Sequence, residues 1–387
     1  MTSTASDVTG FVALLGAAVI IAILAERVRI PAAVALVAVG APLHVPVPFA
    51  FGDSVLFVFL PPLIFEAAWN LDLTALRVMA WRIAALAVPG TLVTAAIVGG
   101  ALALTGVLPL APALLFGAIV GATDPVAVVS AFRHAPVPVE LRTLIEGESL
   151  TNDGIVLVVF GFALAFALGR PVPVGAELLA GAAGIAGGIA IGSAAALVCA
   201  AVLRATDAIE YELTVTIVLA YGAYLAASSL GWSGVFATAA SAVALRGALL
   251  RLPTAMVNTA DVDRVWAAAA FIANACVFFA TGLLIQPGRI LHEPALVAVA
   301  VVSVWAARLL LASLAARRRQ DRAIIFLAGM RGALPLALAL SLPAQLAARP
   351  QIIDATYAIV LVTIVAQGAL LVPVVGRFYG VKRGVAP

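Results

Sequence analysis

Five ionisable side chains stand inside long apolar runs: Glu66, Asp124, Glu148, Asp153 and Arg331. Each lies several residues from the nearest end of its run. If those runs cross a bilayer, every one of these charges costs about 2.5–3.5 kcal/mol to insert. Side chains kept at such a cost face a bundle interior or a water-filled cavity, and five of them at similar depth imply one polar site.

The spacing around these residues suggests the chemistry. Gly121-Ala-Thr123-Asp124-Pro125 places an aspartate before a proline, which lacks a backbone donor and pushes its predecessor out of helical geometry. The helix should break at Thr123-Asp124, and freed carbonyls at such breaks are how many transporters hold ions. In Glu146-Gly-Glu148-Ser149-Leu-Thr-Asn152-Asp153-Gly154, residues 149, 152 and 153 stand at i, i+3 and i+4. One helical face then carries two neutral oxygens and a carboxylate, a partial shell for a small hard cation. Glu148 points elsewhere, and Arg331 is read as its partner in a buried brace. No basic residue is then left for Asp153, and an unpaired carboxylate in low dielectric holds a proton or a cation but seldom neither. Glu66 reads as a ligand across the bundle, a gate, or a neutral hydrogen-bonded carboxyl.

Composition shows what must position these groups. The chain has 387 residues, of which 64% are hydrophobic and only 11% charged. Soluble domains carry roughly 25% charged residues, so this chain cannot coat a water-soluble globule. Thirteen apolar stretches fall near 8–26, 30–44, 54–76, 82–105, 110–132, 143–168, 175–203, 208–229, 232–250, 264–286, 294–316, 322–343 and 352–376. With the N-terminus outside, seventeen of the 22 Lys and Arg fall on inside segments and three outside; Arg308 and Arg331 remain within spans. That asymmetry follows the positive-inside rule and puts the C-terminus in the cytoplasm. It also explains the net charge of +3 without nucleic acid. Met1 to Asp7 hold no basic residue, which argues against a cleavable signal peptide. Trp81, Trp232 and Trp266 fall near expected interfaces, as aromatic belts do. Cys199 and Cys276 lie far apart in apolar runs and offer neither a disulfide framework nor metal-ligand spacing.

The fifth and twelfth stretches both carry mid-span interruptions, the latter at Gly329, Gly332 and Pro335 around Arg331. They are seven stretches apart, and an odd offset inverts the second copy, as in transporters built from inverted repeats with broken helices crossing at mid-membrane.

Four segments carry a resemblance: Leu60-Pro-Pro-Leu-Ile-Phe-Glu66-Ala, Gly121 to Val129, Glu146 to Gly154 and Gly329-Met-Arg-Gly-Ala333. In this order they resemble the electroneutral NhaP/NHE-type branch of the monovalent cation:proton antiporters. The resemblance implies an all-α, thirteen-helix, NhaA-like antiporter fold and a homodimer. The core would comprise 82–168 and 294–380, and the dimerisation domain 1–76 and 208–286, with 175–203 as a linker helix. It makes Asp153 the shared cation and proton carrier. Ser149, Glu66 and the Thr123 main chain become ligands of the monovalent cation, Asn152 and Asp124 supports, and Glu148–Arg331 a structural ion pair. The Asn-Asp pair suggests one cation for one proton. Pro335 falls where many relatives have a small polar residue.

The expectation is therefore a transporter rather than an enzyme: a multi-pass protein of a cell (inner) membrane exchanging Na+ or Li+ for H+ without a cofactor. Potassium/proton exchange is the runner-up, since oxygen ligands alone do not fix ion size. A cation channel would conduct current without proton counterflow. An intramembrane hydrolase would use Asp124 and Asp153 as a dyad sharing a proton.

Overall fold

A computed structural model describes residues 2–28, 30–43, 47, 55–124, 128, 132, 137–204, 208–251, 259–285, 288 and 293–380. The described regular structure is all helical: α1 (Thr2–Arg27), α2 (Ala32–Gly40), α3 (Leu60–Trp69), α4 (Leu73–Leu104), α5 (Leu110–Ile119), α6 (Val139–Ala167) and α7 (Val174–Leu203). There follow α8 (Ile209–Ser229), α9 (Gly234–Leu249), α10 (Thr259–Leu284), α11 (Pro294–Ala315), α12 (Arg319–Leu327) and α13 (Ala333–Leu340). The last, α14, runs over Arg349–Tyr379. Eight of the described helices are long and apolar enough to cross a membrane. In hydrocarbon a helix satisfies its own backbone donors and acceptors, which so apolar a chain requires.

Prolines open many of these helices: Pro31, Pro109, Pro138 and Pro173 precede α2, α5, α6 and α7, where a missing N–H costs nothing. Pro61 and Pro62 do the same in the first turn of α3, after a wide turn of π-helix over Val55–Phe59. They therefore start this helix rather than interrupt it. Gly169 and Gly231 follow α6 and α8 at φ +67° and +71°, the left-handed closure that glycine permits.

The chain forms two compact units. The first comprises residues 1–55, 79–171 and 274–387, the second 56–78 and 172–273. In the first, α5 packs on α6, α13 and α14, α11 on α12, and α2 against the π-helical turn Thr363–Gln367 within α14.

In the second unit α7 and α9 lie closest, with α8 and α3 completing the packing. At Gly192 a side chain would collide with the Ala237 backbone. Trp266 is buried at 2% exposure, its Nε1 donating to Thr216 Oγ1 at 3.1 Å and its ring 4.3 Å from Phe65. It anchors this unit, so the belt assignment is corrected for Trp266; Trp81, at 81% exposure, remains on the surface.

Candidate functional site

α5 stops at Ile119, and Gly121 to Asp124 run on without helical structure. The break therefore comes where the sequence placed it, although Pro125 lies outside the described residues. A second break separates α12 from α13 over 328–332. The two are tied together: Asp124 N donates to Met330 O at 2.9 Å. The Asp124 carboxylate lies over Gly332, where any Cβ would overlap Oδ2. Each break thus supplies backbone groups that the other satisfies.

α6 splints the first break. Ser149 Oγ donates to Thr123 O at 2.6 Å and accepts from Thr123 Oγ1 at 3.1 Å. The Asn152 amide accepts from Thr123 N at 3.3 Å and donates to Thr123 Oγ1 at 2.8 Å and Gly121 O at 3.5 Å. Thr123, Ser149 and Asn152 are buried. One residue on, Asp153 carries a buried Oδ1 that accepts no hydrogen bond among the described residues. A sealed acceptor beside an otherwise satisfied polar network marks a place for a ligand. Sodium, lithium and the proton all suit an anionic oxygen set beside hydroxyl and carbonyl oxygens.

The brace is corrected. Glu148 pairs with Arg308, not Arg331: Arg308 Nη1 and Nη2 donate to its two oxygens at 2.8 and 3.0 Å, with both side chains nearly sealed. This fork-to-fork geometry is the strong form of the interaction. Arg308 Nε also holds Ile325 O at 3.0 Å, near the end of α12. Arg331 turns to the freed carbonyls instead. Its Nε donates to Val120 O at 2.8 Å, its Nη1 to Gly329 O, and its backbone N to Thr363 Oγ1 at 3.1 Å. A guanidinium has five donors and suits carbonyls left over at helix ends, whereas Glu148 needs a forked partner that can approach squarely.

Arg308 was visible in the sequence as an arginine eight residues from the end of its span; what was missing was its facing partner. The supports on α14 were unsignalled: Thr363, and Gln367, whose Nε2 donates to Phe326 O at 2.9 Å. A cavity of about 10 Å³, the size of one water, lies among Thr91, Thr94, Thr123, Glu148, Asn152 and Arg331. Glu66 belongs to the second unit, where its carboxylate accepts from Asn70 Nδ2 at 2.9 Å.

Residues 13–377 match the family described as "Sodium/hydrogen exchanger, transmembrane". The chain is 30% identical to the Na(+)/H(+) antiporter ApNhaP of Aphanothece halophytica over 84% of its own length and 64% of that protein's. It is also 30% identical to the Na(+)/H(+) antiporter NhaH of Halobacillus aidingensis, over 94% of this chain and 96% of that one. The solved structure of the sodium proton antiporter MjNhaP1 from Methanocaldococcus jannaschii has a similar fold. Its TM-score is 0.77 at 22% identity, covering 98% of this chain and all of that one.

Proposed function

Because this chain belongs to the sodium/hydrogen exchanger family, we propose that it exchanges Na+ or Li+ for H+, one for one, at the carboxylate of Asp153. The buried Oδ1 of Asp153, unpartnered among the described residues and one residue beyond the Asn152 that splints the broken helix, carries this reading. A proton or a cation satisfies that oxygen, and binding one excludes the other. If the loaded carboxylate alone can change the side it faces, the two ions are exchanged and no net charge crosses. Ser149 and the Thr123 main chain complete the cation's shell, while Asn152 and Asp124 hold the break in shape. The Glu148–Arg308 pair and Arg331 brace the crossing.

The wider assignment follows the same reading. The membrane is a cell (inner) membrane, with the N-terminus outside and the C-terminus in the cytoplasm. The protein acts as a homodimer of inverted-repeat protomers. Residues 82–168 and 294–380 hold the ion site. Its partners are the two ions and the lipid.

The test uses purified protein in liposomes with a preset pH gradient and a pH-sensitive dye. Sodium, lithium and potassium are added in turn, with the potential clamped or free. Sodium or lithium should collapse the gradient equally in both conditions, and Asp153→Ala should abolish the effect. Potassium as the sole active ion would transfer the reading to potassium/proton exchange. Proton flux that continues in Asp153→Ala, or that follows the clamped voltage, would sink the mechanism.

A further inference from the structure

A second buried carboxylate shares the helix that carries Asp153. Glu146 is 6% exposed and lies seven residues before Asp153 on α6. Seven residues fall about 20° short of two full turns and span about 10 Å, so the two carboxylates share one face. Ser149 stands between them on the same stripe, at i+3 from Glu146. The stripe therefore runs from a carboxylate toward the Val139 end, past a hydroxyl, to the buried Oδ1 of Asp153, unpartnered among the described residues. Glu148, about 200° around the helix from Glu146, is taken by Arg308.

Glu146 has one partner of a different kind. Arg142, a turn earlier, reaches its Oε1 through Nε at 2.7 Å. The Arg142 side chain is 40% exposed and that of Glu146 only 7%. The arginine can thus swing toward water while the carboxylate stays inside. An arginine that exposed can give way to a cation, and the incoming cation keeps the buried carboxylate from being left uncompensated.

We propose that Glu146 is a further binding residue for the exchange: the carboxylate that receives the incoming cation before Asp153, with Arg142 as its displaceable cap. This rests on Asp153 exchange as proposed above. A cation at Glu146 replaces the guanidinium, moves past Ser149 and displaces the proton from Asp153. Arg142 then closes on Glu146 again behind it. Because the cap competes with the substrate, removing the carboxylate and removing the cap act on sodium affinity with opposite signs. A mere brace within α6 would respond to both losses in one direction.

The experiment measures sodium-driven proton flux in proteoliposomes of the full chain for the unmutated protein, Glu146→Gln, Glu146→Asp and Arg142→Ala. Glu146→Gln should raise the KM for sodium about tenfold with little change in maximal rate, the effect of one lost charge at about 10 Å through an effective dielectric near 20. Arg142→Ala should lower KM, and Glu146→Asp should restore most of the affinity. An unchanged KM in Glu146→Gln, or KM moving the same way in both variants, overturns the proposal. Should Glu146→Gln fail to fold, Arg142→Ala decides alone: a KM equal to or above that of the unmutated protein is the overturning result. Unmutated protein that couples no sodium to protons defeats the exchange reading itself, and this inference with it. Coupled flux with the wrong KM pattern defeats only the role of Glu146.

Discussion

Glu148 and Arg308 are exposed by only 6% and 3% at their side chains, so deleting either strands the other's charge away from water. Arg308→Ala should cost about 3–5 kcal/mol of stability. The double change Glu148→Gln with Arg308→Met should recover most of it, because no charge is then left behind. Thermal unfolding in detergent reads both, and a double variant as unstable as the single one would refute the assignment. Ser149 acts on a smaller scale. Its hydroxyl holds Thr123 O at 2.6 Å and lies four residues before Asp153. Ser149→Ala removes that bond and one oxygen from the proposed shell, a loss of about 1–2 kcal/mol. Sodium affinity in the proteoliposome assay should fall about five- to thirtyfold, and an unaltered affinity would place the hydroxyl outside the shell.

Broken helices succeed as elements only if each break finds partners for the groups it frees. Here the partners are mostly other breaks: Met330 O for Asp124 N, and Val120 O for the Arg331 side chain. The crossing is consequently intolerant of bulk. Gly332→Ala would put a methyl group into the Asp124 carboxylate, so this variant should lose transport even where it reaches the membrane. Flux and membrane yield measured together separate that outcome from misfolding. α14 supports the crossing from one side, where its π-helical turn presents Thr363 to Arg331 N and Gln367 to Phe326 O. Thr363→Val keeps the shape and removes the acceptor. The buried Arg331 N–H would lose its partner at a cost of about 1–3 kcal/mol, read as a lower unfolding temperature.

At the scale of the whole molecule, exchange through one carboxylate makes the two ions competitors. Lowering the pH fills Asp153 with protons, so the KM for sodium should rise with acidity, approaching tenfold per pH unit in the acid limit. The maximal rate at saturating sodium should change far less. Initial rates of sodium uptake across a pH series check this. A KM independent of pH would mean separate sites for the two ions.

Much of this molecule was legible along the chain. Apolar runs had to become helices, because backbone groups in hydrocarbon have no water to turn to. Thr123-Asp124 before Pro125 had to interrupt one of them, and 149, 152 and 153 fell on one face by periodicity alone. These are local constraints, written within a few residues of where they act. Which arginine meets Glu148 is not local. Arg308 and Arg331 are both buried, and they sit on different elements 160 and 183 positions along the chain from Glu148. Only the approach of α11 to α6 lets Arg308 present its fork squarely, while the crossing of the breaks offers Arg331 the carbonyls of Val120 and Gly329. Trp266 is a similar case, since its place near a span end suggested a lipid interface until the packing of Phe65 and Thr216 enclosed it. Periodicity and propensity specify which groups must be satisfied; the partners come from the distances between elements, which packing alone determines.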